Sequence, residues 1–192
     1  MSLTDAQIDR YSRQIIVPRI GGRGQERLLA SRILLVGDAR DIEAPLAYLV
    51  GAGVGTICLK LSDDQAALVD GRESNADVSV TVADESQGRI DLALMIIGSE
   101  AARKAADEIL NDRDAYAAVI ARLDTPGKIV VFPDAHGPRT VDTEFGERAE
   151  AADFIAMLAT AEAFKLVAGY TENPTRATIE FDGYETRVRV TS

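Results

Sequence analysis

The sequence is poor in the residues that most often carry metal, redox and phosphate chemistry. Its 192 residues include one cysteine, one histidine, no tryptophan and only four lysines. The single cysteine, Cys58, forms neither an internal disulfide nor a Cys-x-x-Cys zinc site, and its apolar neighbours indicate a buried side chain. The histidine, His136, stands between turn-forming residues, so we expect it on a solvated loop. We therefore expect no bound metal.

Excess positive charge and long apolar runs are also lacking. The net charge is -10, whereas proteins that bind duplex nucleic acid present a basic stripe. No apolar run reaches the roughly 18 residues of a membrane-spanning helix. The first residues lack the basic segment and apolar run of a signal peptide. These absences predict a cytoplasmic protein without nucleic-acid or membrane partners.

The apolar patterns that are present predict an α/β protein. Runs at 32–36, 55–61 and 91–97 are typical of buried parallel strands, and helical patterns separate them. An Asp-Gly pair within the alternating residues 177–190 predicts a terminal hairpin. We expect a doubly wound, mostly parallel, Rossmann-like sheet.

We expect one domain over residues 1–192, with an N-terminal helical segment at 1–31 and the α/β core at 32–192. Within it, the glycines at 21–24 predict a break before a short helix. Pro45 is expected in the first turn of the helix after the first strand, and a long helix is expected from 147 to 168.

The first strand runs into an incomplete phosphate-binding motif. Such a strand is followed by Gly-x-Gly-x-x-Gly, in which the second glycine lets the backbone approach a phosphate and the third lets the helix pack closely. Here Gly37 is followed by Ala39 and Ile42 at those two positions, with Asp38 and Asp41 beside them. A carboxylate at a helix N-terminus is itself the anion that this end prefers. The motif therefore predicts a nucleotide-binding scaffold without its phosphate cradle.

Several segments resemble one enzyme family. Residues 10–18 read Arg-Tyr-Ser-Arg-Gln-Ile-Ile-Val-Pro, and the resemblance continues through 24–37, 52–57 and 161–170. Together these segments resemble the ThiF/MoeB/HesA family of ubiquitin-activating-enzyme-like adenylyltransferases. The resemblance implies an enzyme that uses ATP and Mg²⁺ to adenylate the C-terminal glycine of a ubiquitin-like sulfur carrier. It also implies a homodimer in which Arg13 reaches into the partner's nucleotide site.

The departures from the family's pattern fall on the implied nucleotide site. Gly37, Asp38 and Arg40 stand in place of the glycine-rich loop, and Lys60 stands where an acidic residue would hold the ribose. A lysine accepts no hydrogen bond. Gly98 occupies the place of the magnesium-binding aspartate. The family's Asn-x-x-Arg-Gln loop is missing too, and we interpret Asn75 as unrelated to it.

Three hypotheses follow. In the first, the chain is a non-catalytic member of the family without a cofactor, a homodimeric scaffold that pairs with an active homologue or a ubiquitin-like carrier. In the second, it is an active ATP- and Mg²⁺-dependent adenylyltransferase in which Arg40 and Lys60 bind phosphates and Asp38, Asp41 or Asp63 holds Mg²⁺. In the third, another nucleotide or a metabolite binds at the carboxyl edge of the sheet.

Overall fold

The computed structural model describes most of the chain as one sheet flanked by helices. The described residues are 2–62, 74–82, 89–111, 117–133, 141, 145–170, 174–181 and 185–191. His136 and Asp63 lie outside these ranges. Among the described residues, no helix combines the length and the hydropathy that crossing a membrane requires.

Eight strands form the sheet, in the spatial order β3-β2-β1-β4-β5-β6-β7-β8. They are β1 (Arg32–Gly37), β2 (Thr56–Leu61), β3 (Ser79–Val82), β4 (Leu92–Ile97), β5 (Ala117–Arg122), β6 (Gly127–Phe132), β7 (Arg176–Phe181) and β8 (Thr186–Thr191). The described helices are α1 (Asp5–Arg10), α2 (Ser12–Ile15), α3 (Gly21–Ala30), α4 (Ala39–Ala52), α5 (Glu100–Asn111) and α6 (Ala152–Ala168).

The strand pairing confirms the predicted doubly wound, mostly parallel sheet and its terminal hairpin. The first five strands of the chain pair in parallel, whereas β6, β7 and β8 add antiparallel strands. Strand order reverses at β1, which has β2 on one side and β4 on the other. In such folds ligands bind beyond the carboxyl ends of the strands at this switch point.

Alternating side chains of the strands build one apolar layer on each face of the sheet. Ile33 and Leu35 of β1 face a core formed with α3, α4 and α6, while Leu34 and Val36 face a second core under α5. Cys58 lies in the second core and is buried, as predicted. Both faces of the parallel strands are therefore covered, which explains why these strands are apolar throughout.

The glycines at 21–24 do not break the chain, contrary to the prediction, but begin helix α3. The reason is packing. A Cβ on Gly24 would lie 3.1 Å from the Ala168 carbonyl oxygen and 2.9 Å from the Ile20 side chain. The absence of a side chain lets α3 approach the end of α6 closely.

Pro45 lies inside α4 and not in its first turn. The helix begins at Ala39, because Asp38 is extended and takes the N-cap position directly after β1. An internal proline removes the helical hydrogen bond to the carbonyl four residues earlier, that of Asp41. Pro45 is nevertheless buried within the well-packed helix, so packing outweighs this loss.

Helix α6 begins at Ala152, later than the predicted residue 147. The preceding residues pair with the strand end at β5 instead. The amide of Thr125 donates to the Glu147 carbonyl at 2.8 Å, and the amide of Ala149 donates to the Leu123 carbonyl at 2.7 Å. This bridge carries the chain across the carboxyl edge of the sheet before the helix starts.

Candidate functional site

The switch point between β1 and β4 retains the first glycine of the phosphate-binding motif. A Cβ on Gly37 would lie 2.6 Å from the Ile96 carbonyl oxygen and 2.8 Å from the Ile42 side chain. Gly37 therefore permits the close approach of β4 and α4 to the end of β1. This role is structural and requires no ligand.

Asp38 ties together the carboxyl ends of three strands. Its buried carboxylate accepts hydrogen bonds from the hydroxyl of Ser62, after β2, and from that of Ser99, after β4, the second at 3.0 Å. Asp38 is the N-cap residue of α4, yet its side chain makes no capping hydrogen bond. Ser99 meanwhile caps α5 by accepting from the amide of Ala102 at 3.1 Å.

Asp41, in the first turn of α4, forms a buried ion pair with Arg148. Nη2 of Arg148 lies 2.9 Å from Oδ1 of Asp41, and Nη1 donates to Oδ2 at 3.1 Å. The Asp41 side chain is 1% exposed and that of Arg148 is 32% exposed. Arg40 adds a longer contact, 3.3 Å from its Nε to Oδ1. We call Asp41 and Arg148 the edge ion pair.

The edge ion pair occupies the space beside Gly98. A Cβ at this position would lie 1.7 Å from Oδ2 of Asp41 and 3.0 Å from Nη1 of Arg148. The place where the resemblance expects a magnesium-binding aspartate therefore has no room for any side chain while Asp41 holds its position.

A second buried acid holds the chain over the neighbouring strand end. Asp124 follows β5 and accepts from Nε of Arg122 at 3.0 Å and from the amide of Gly146 at 2.9 Å. Its burial within this set of donors fixes the path of residues 146–149 across the edge. Asp124 thus serves the connection into α6.

Those residues at this edge that the structure describes do not fit ATP with Mg²⁺. Phosphates need unoccupied backbone amides and cations at the helix N-terminus, but here the Asp38 and Asp41 carboxylates stand at that end of α4. Arg148 is already paired with Asp41. Within the described ranges, no three acidic, histidine or cysteine side chains are grouped so as to hold a metal ion.

The structure brings together only some of the predicted site residues. Gly37, Asp38 and Arg40 lie at the switch point, with Arg40 mostly exposed. The Lys60 ammonium is directed to Glu108 of α5, at 3.6 Å. Lys60 lies on the same face of β2 as Cys58, and α5 covers this face. The Lys60 side chain therefore lies on the side of the sheet opposite to α4.

Arg13 and Arg10 of the N-terminal signature have different surroundings. Arg13, in α2, is exposed and makes no hydrogen bond or ion pair with the part of the chain that the structure describes. Arg10 instead forms an ion pair with Asp77 and donates to Oδ1 of Asn75 at 3.1 Å.

Asn75 and Asp77 form the centre of a polar cluster that sequence reasoning missed. The side-chain amide of Asn75 donates to the Tyr11 hydroxyl and to the Val50 carbonyl, both at 2.8 Å. The Tyr11 hydroxyl in turn donates to Asp77 at 3.1 Å. We call Arg10, Tyr11, Asn75 and Asp77 the N-terminal clamp. No periodic pattern marks Asn75, because its partners are far away in the sequence.

The N-terminal clamp shifts the ionisation of its members. Burial raises the pKa of the Tyr11 hydroxyl, although the hydrogen bond from Asn75 opposes this. Burial also opposes ionisation of Asp77, but hydrogen bonds from Gln7, Tyr11 and Arg10 outweigh it and lower the pKa of its carboxyl group. The folded clamp therefore contains a neutral Tyr11 and an ionised Asp77 at neutral pH.

Comparison with curated proteins finds similarity over part of the chain. Adenylyltransferase and sulfurtransferase Uba4 of Pyricularia oryzae is 50% identical over 58 residues, which are 30% of this chain and 12% of that protein. SAMP-activating enzyme E1 of Haloferax volcanii is 46% identical over 65 residues, 33% of this chain and 23% of that protein. Sulfur carrier protein adenylyltransferase of Thermus thermophilus is 47% identical over 58 residues, 30% of this chain and 21% of that protein. The matched segments thus span less than a quarter of each relative, and no family model matches the chain.

Solved structures share the fold over nearly the whole chain. E. coli MccB, in a crystal structure with ATP, superposes with a TM-score of 0.66 and 12% identity, covering 97% of this chain and 72% of that chain. PaaA superposes with a TM-score of 0.61 and 16% identity, covering 98% and 75%. At these identities the likeness concerns the arrangement of helices and strands.

Proposed function

The chain has the fold of the ThiF/MoeB family, and from this premise we propose that it is a non-catalytic member that acts as a homodimeric binding or scaffolding module. The edge ion pair carries this proposal. Asp41 and Arg148 fill the space beside Gly98 with the protein's own charges. Arg148 is engaged with Asp41, and the Asp38 carboxylate accepts from the hydroxyls of Ser62 and Ser99.

The proposal is supported by the way in which Gly98, Asp41 and Arg148 constrain one another at the carboxyl edge of the sheet. A side chain at position 98 is incompatible with the Asp41 carboxylate, and removing Arg148 would leave that carboxylate buried without its principal partner. Asp38 is likewise held by two hydroxyls. These residues therefore bind one another. This arrangement is expected of a protein whose surface, and not a nucleotide site, carries its function.

Calorimetric titration of the purified chain with ATP and Mg²⁺ tests the proposal. We expect no binding heat at millimolar nucleotide and no shift in thermal unfolding. The adenylyltransferase of Thermus thermophilus, titrated in the same buffer, serves as the positive control. A dissociation constant below about 100 μM, roughly -5.5 kcal/mol of binding free energy, would contradict a non-catalytic role based on a closed site.

A second candidate function is ATP- and Mg²⁺-dependent adenylyl transfer to a ubiquitin-like sulfur carrier. It is favoured by the adenylyltransferase and activating-enzyme names of the curated relatives and by the exposed Arg13, which has no partner among the described residues. It requires the edge ion pair to open, because Asp41 and Arg148 fill the space beside Gly98.

Exchange of labelled pyrophosphate into ATP, measured with a sulfur carrier present, separates the two candidates. Adenylyl transfer predicts exchange that Arg13→Ala abolishes. Arg23→Ala is the matched control, since Arg23 is also exposed and makes no ion pair within the described residues. Absence of exchange in the unmodified chain rules out this candidate for the carrier tested.

For the proposed scaffold, we expect a cytoplasmic partner that is an active member of the family or a ubiquitin-like carrier. The homodimer would form through residues 8–20, where Ile8 is 45% exposed and Ile16 is 77% exposed. A contact between two copies would remove these two apolar side chains from water.

A further inference from the structure

The sheet ends in an exposed edge strand with two different faces. All side chains of β8 from 186 to 190 are exposed. Val188 and Val190 point to the α6 side, where they are 61% and 64% exposed. Arg187 and Arg189 point to the opposite side, with side chains 62% and 73% exposed. The edge strand is thus amphipathic, although neither of its faces is covered by a described helix.

The apolar face of β8 continues into a neighbouring patch. Val188 lies opposite Ile179 in the register of β7. Beside this pair, Phe154 of α6 is 55% exposed and contacts the ring of Phe181, with 5.5 Å between ring centroids. Large apolar side chains therefore extend from the helix across the last two strands and end at the free edge.

The arginine face of β8 carries positive charge on a chain whose net charge is -10. Arg187 lies 3.0 Å from Glu185, and Arg189 lies 4.0 Å from Glu180. Such solvent-exposed pairs contribute little, because water competes for both charges. Both guanidinium groups remain mostly exposed and are available to carboxylates on an incoming strand.

A second copy of this chain is a poor occupant of the edge. A two-fold axis that pairs two β8 strands antiparallel keeps each face on its own side of the joined sheet. In registers centred on Val188 or Arg189, arginine then lies directly opposite arginine. Like charges in directly opposed positions destabilise the pair, and charged residues on edge strands discourage such self-association.

We propose that β8 binds an extended segment of a protein partner in which apolar and acidic residues alternate. The segment adds a ninth strand to the sheet, and backbone hydrogen bonds at the open edge supply part of the affinity. Its apolar side chains pack against Val188 and Val190, and its carboxylates face Arg187 and Arg189. This surface is remote in sequence from the switch point, and the inference holds whether or not the chain binds ATP.

Nuclear magnetic resonance of the ¹⁵N-labelled full chain tests the inference with two ten-residue peptides. One alternates valine and glutamate, and the other alternates valine and lysine. We expect the glutamate peptide to shift amides of residues 186–191 and 176–181. We expect the double variant Arg187→Glu, Arg189→Glu to bind the glutamate peptide about tenfold more weakly and to bind the lysine peptide in preference to it.

The double variant changes exposed side chains only, and the dispersion of its spectrum verifies that it is folded. Equal binding of both peptides, shifts confined to other strands, or no shifts at millimolar peptide would overturn the inference. So would a homodimer that dissociates on Val188→Pro, because a second copy would then occupy the edge.

Discussion

The backbone of Gly98 and the carboxylate of Asp41 occupy adjoining space, so the identity of one residue limits the other. With only 1.7 Å between Oδ2 of Asp41 and a Cβ at position 98, a methyl group there must displace the edge ion pair. The ion pair is buried on the Asp41 side, and displacement would also disturb its contact with Arg148. This interdependence is testable with small substitutions.

We predict that Gly98→Ala lowers the free energy of unfolding by about 2 kcal/mol, in the range of overpacking effects. In an Asp41→Ala background, where the clash is absent, the same change should cost much less. A double-mutant cycle from urea denaturation measures the coupling. Gly51→Ala is the control, since a Cβ there meets nothing within 4 Å. Additive effects of the two substitutions would contradict the coupling.

The lowered pKa of Asp77 makes the N-terminal clamp sensitive to acid. In the unfolded chain this carboxyl titrates near 3.8, its ordinary value. Because the folded-state pKa is lower, its contribution to stability is present above that value and is lost as pH falls towards the folded-state pKa. The clamp should therefore loosen in acid and hold at neutral pH.

We predict that Asp77→Asn lowers the free energy of unfolding at pH 7 by about 1.5 kcal/mol, the lower end of the range for a lost hydrogen bond to a charged group, because the Arg10 partner is 41% exposed. The variant should also lose less stability than the unmodified chain between about pH 5 and pH 3. Urea denaturation at each pH gives both values. Asp9→Asn, at an exposed position of α1, is the matched control. A parallel pH dependence of Asp77→Asn and the unmodified chain would contradict this role.

Helix α3 shows how packing can reverse what composition suggests for an element. Its first four residues include three glycines, which weaken helices because of their backbone freedom. Two of these glycines differ in surroundings. Gly24 faces the Ala168 carbonyl, whereas a Cβ on Gly22 would meet only Leu3, at 3.9 Å. The helix forms because its contact with α6 outweighs its low propensity.

We predict that Gly24→Ala destabilises the chain by about 1–3 kcal/mol, since the added methyl group must separate α3 from α6. Gly22→Ala should be neutral or stabilising by up to about 1 kcal/mol, because it reduces backbone freedom without a clash. Thermal unfolding of the two variants gives a direct comparison. If both glycines respond alike, helix propensity and not close packing governs this element.

Elements with a strong local signal could be predicted from the sequence. Continuous apolar runs located the buried strands, and the Asp-Gly pair located the hairpin. Helix boundaries that depend on distant contacts were wrong. The start of α6 is set by pairing with Leu123 and Thr125, which no local pattern encodes.

The candidate site was predictable only where it is continuous in sequence. Gly37, Asp38 and Arg40 follow directly from the failed motif at the end of β1. Arg148 is 107 residues away from Asp41. The two pair only because the folded chain crosses the carboxyl edge before α6, so the pair is not visible in the sequence. Asn75, which we interpreted from the sequence as unrelated to the Asn-x-x-Arg-Gln loop, is a buried residue of the N-terminal clamp.

Considered as one molecule, the chain has the core of the ThiF/MoeB fold, and its polar residues hold its own segments together. Asp38 joins three strand ends, Asp124 secures the connection into α6, and the N-terminal clamp fixes α1 against the residues before β3. The N-terminal surface and the β8 edge each keep more than one large apolar side chain exposed. Contacts between molecules should therefore form there.

We predict that the chain is a dimer in solution and that Ile16→Glu dissociates it. Ile16 is 77% exposed, and a glutamate there would place a charge in the proposed contact while leaving the monomer's core intact. Val82→Glu is the matched control, because Val82 of β3 is a comparably exposed apolar residue, at 65%, outside residues 8–20. Deleting residues 1–20 is a poorer test, since it also removes the buried Tyr11.

Sedimentation equilibrium of the full chain measures the dissociation constant of the dimer. We expect it to be at least about tenfold weaker for Ile16→Glu, near 1.4 kcal/mol, and unchanged for Val82→Glu. A monomer at all concentrations, or a dimer insensitive to Ile16→Glu, would place the contact elsewhere or remove it.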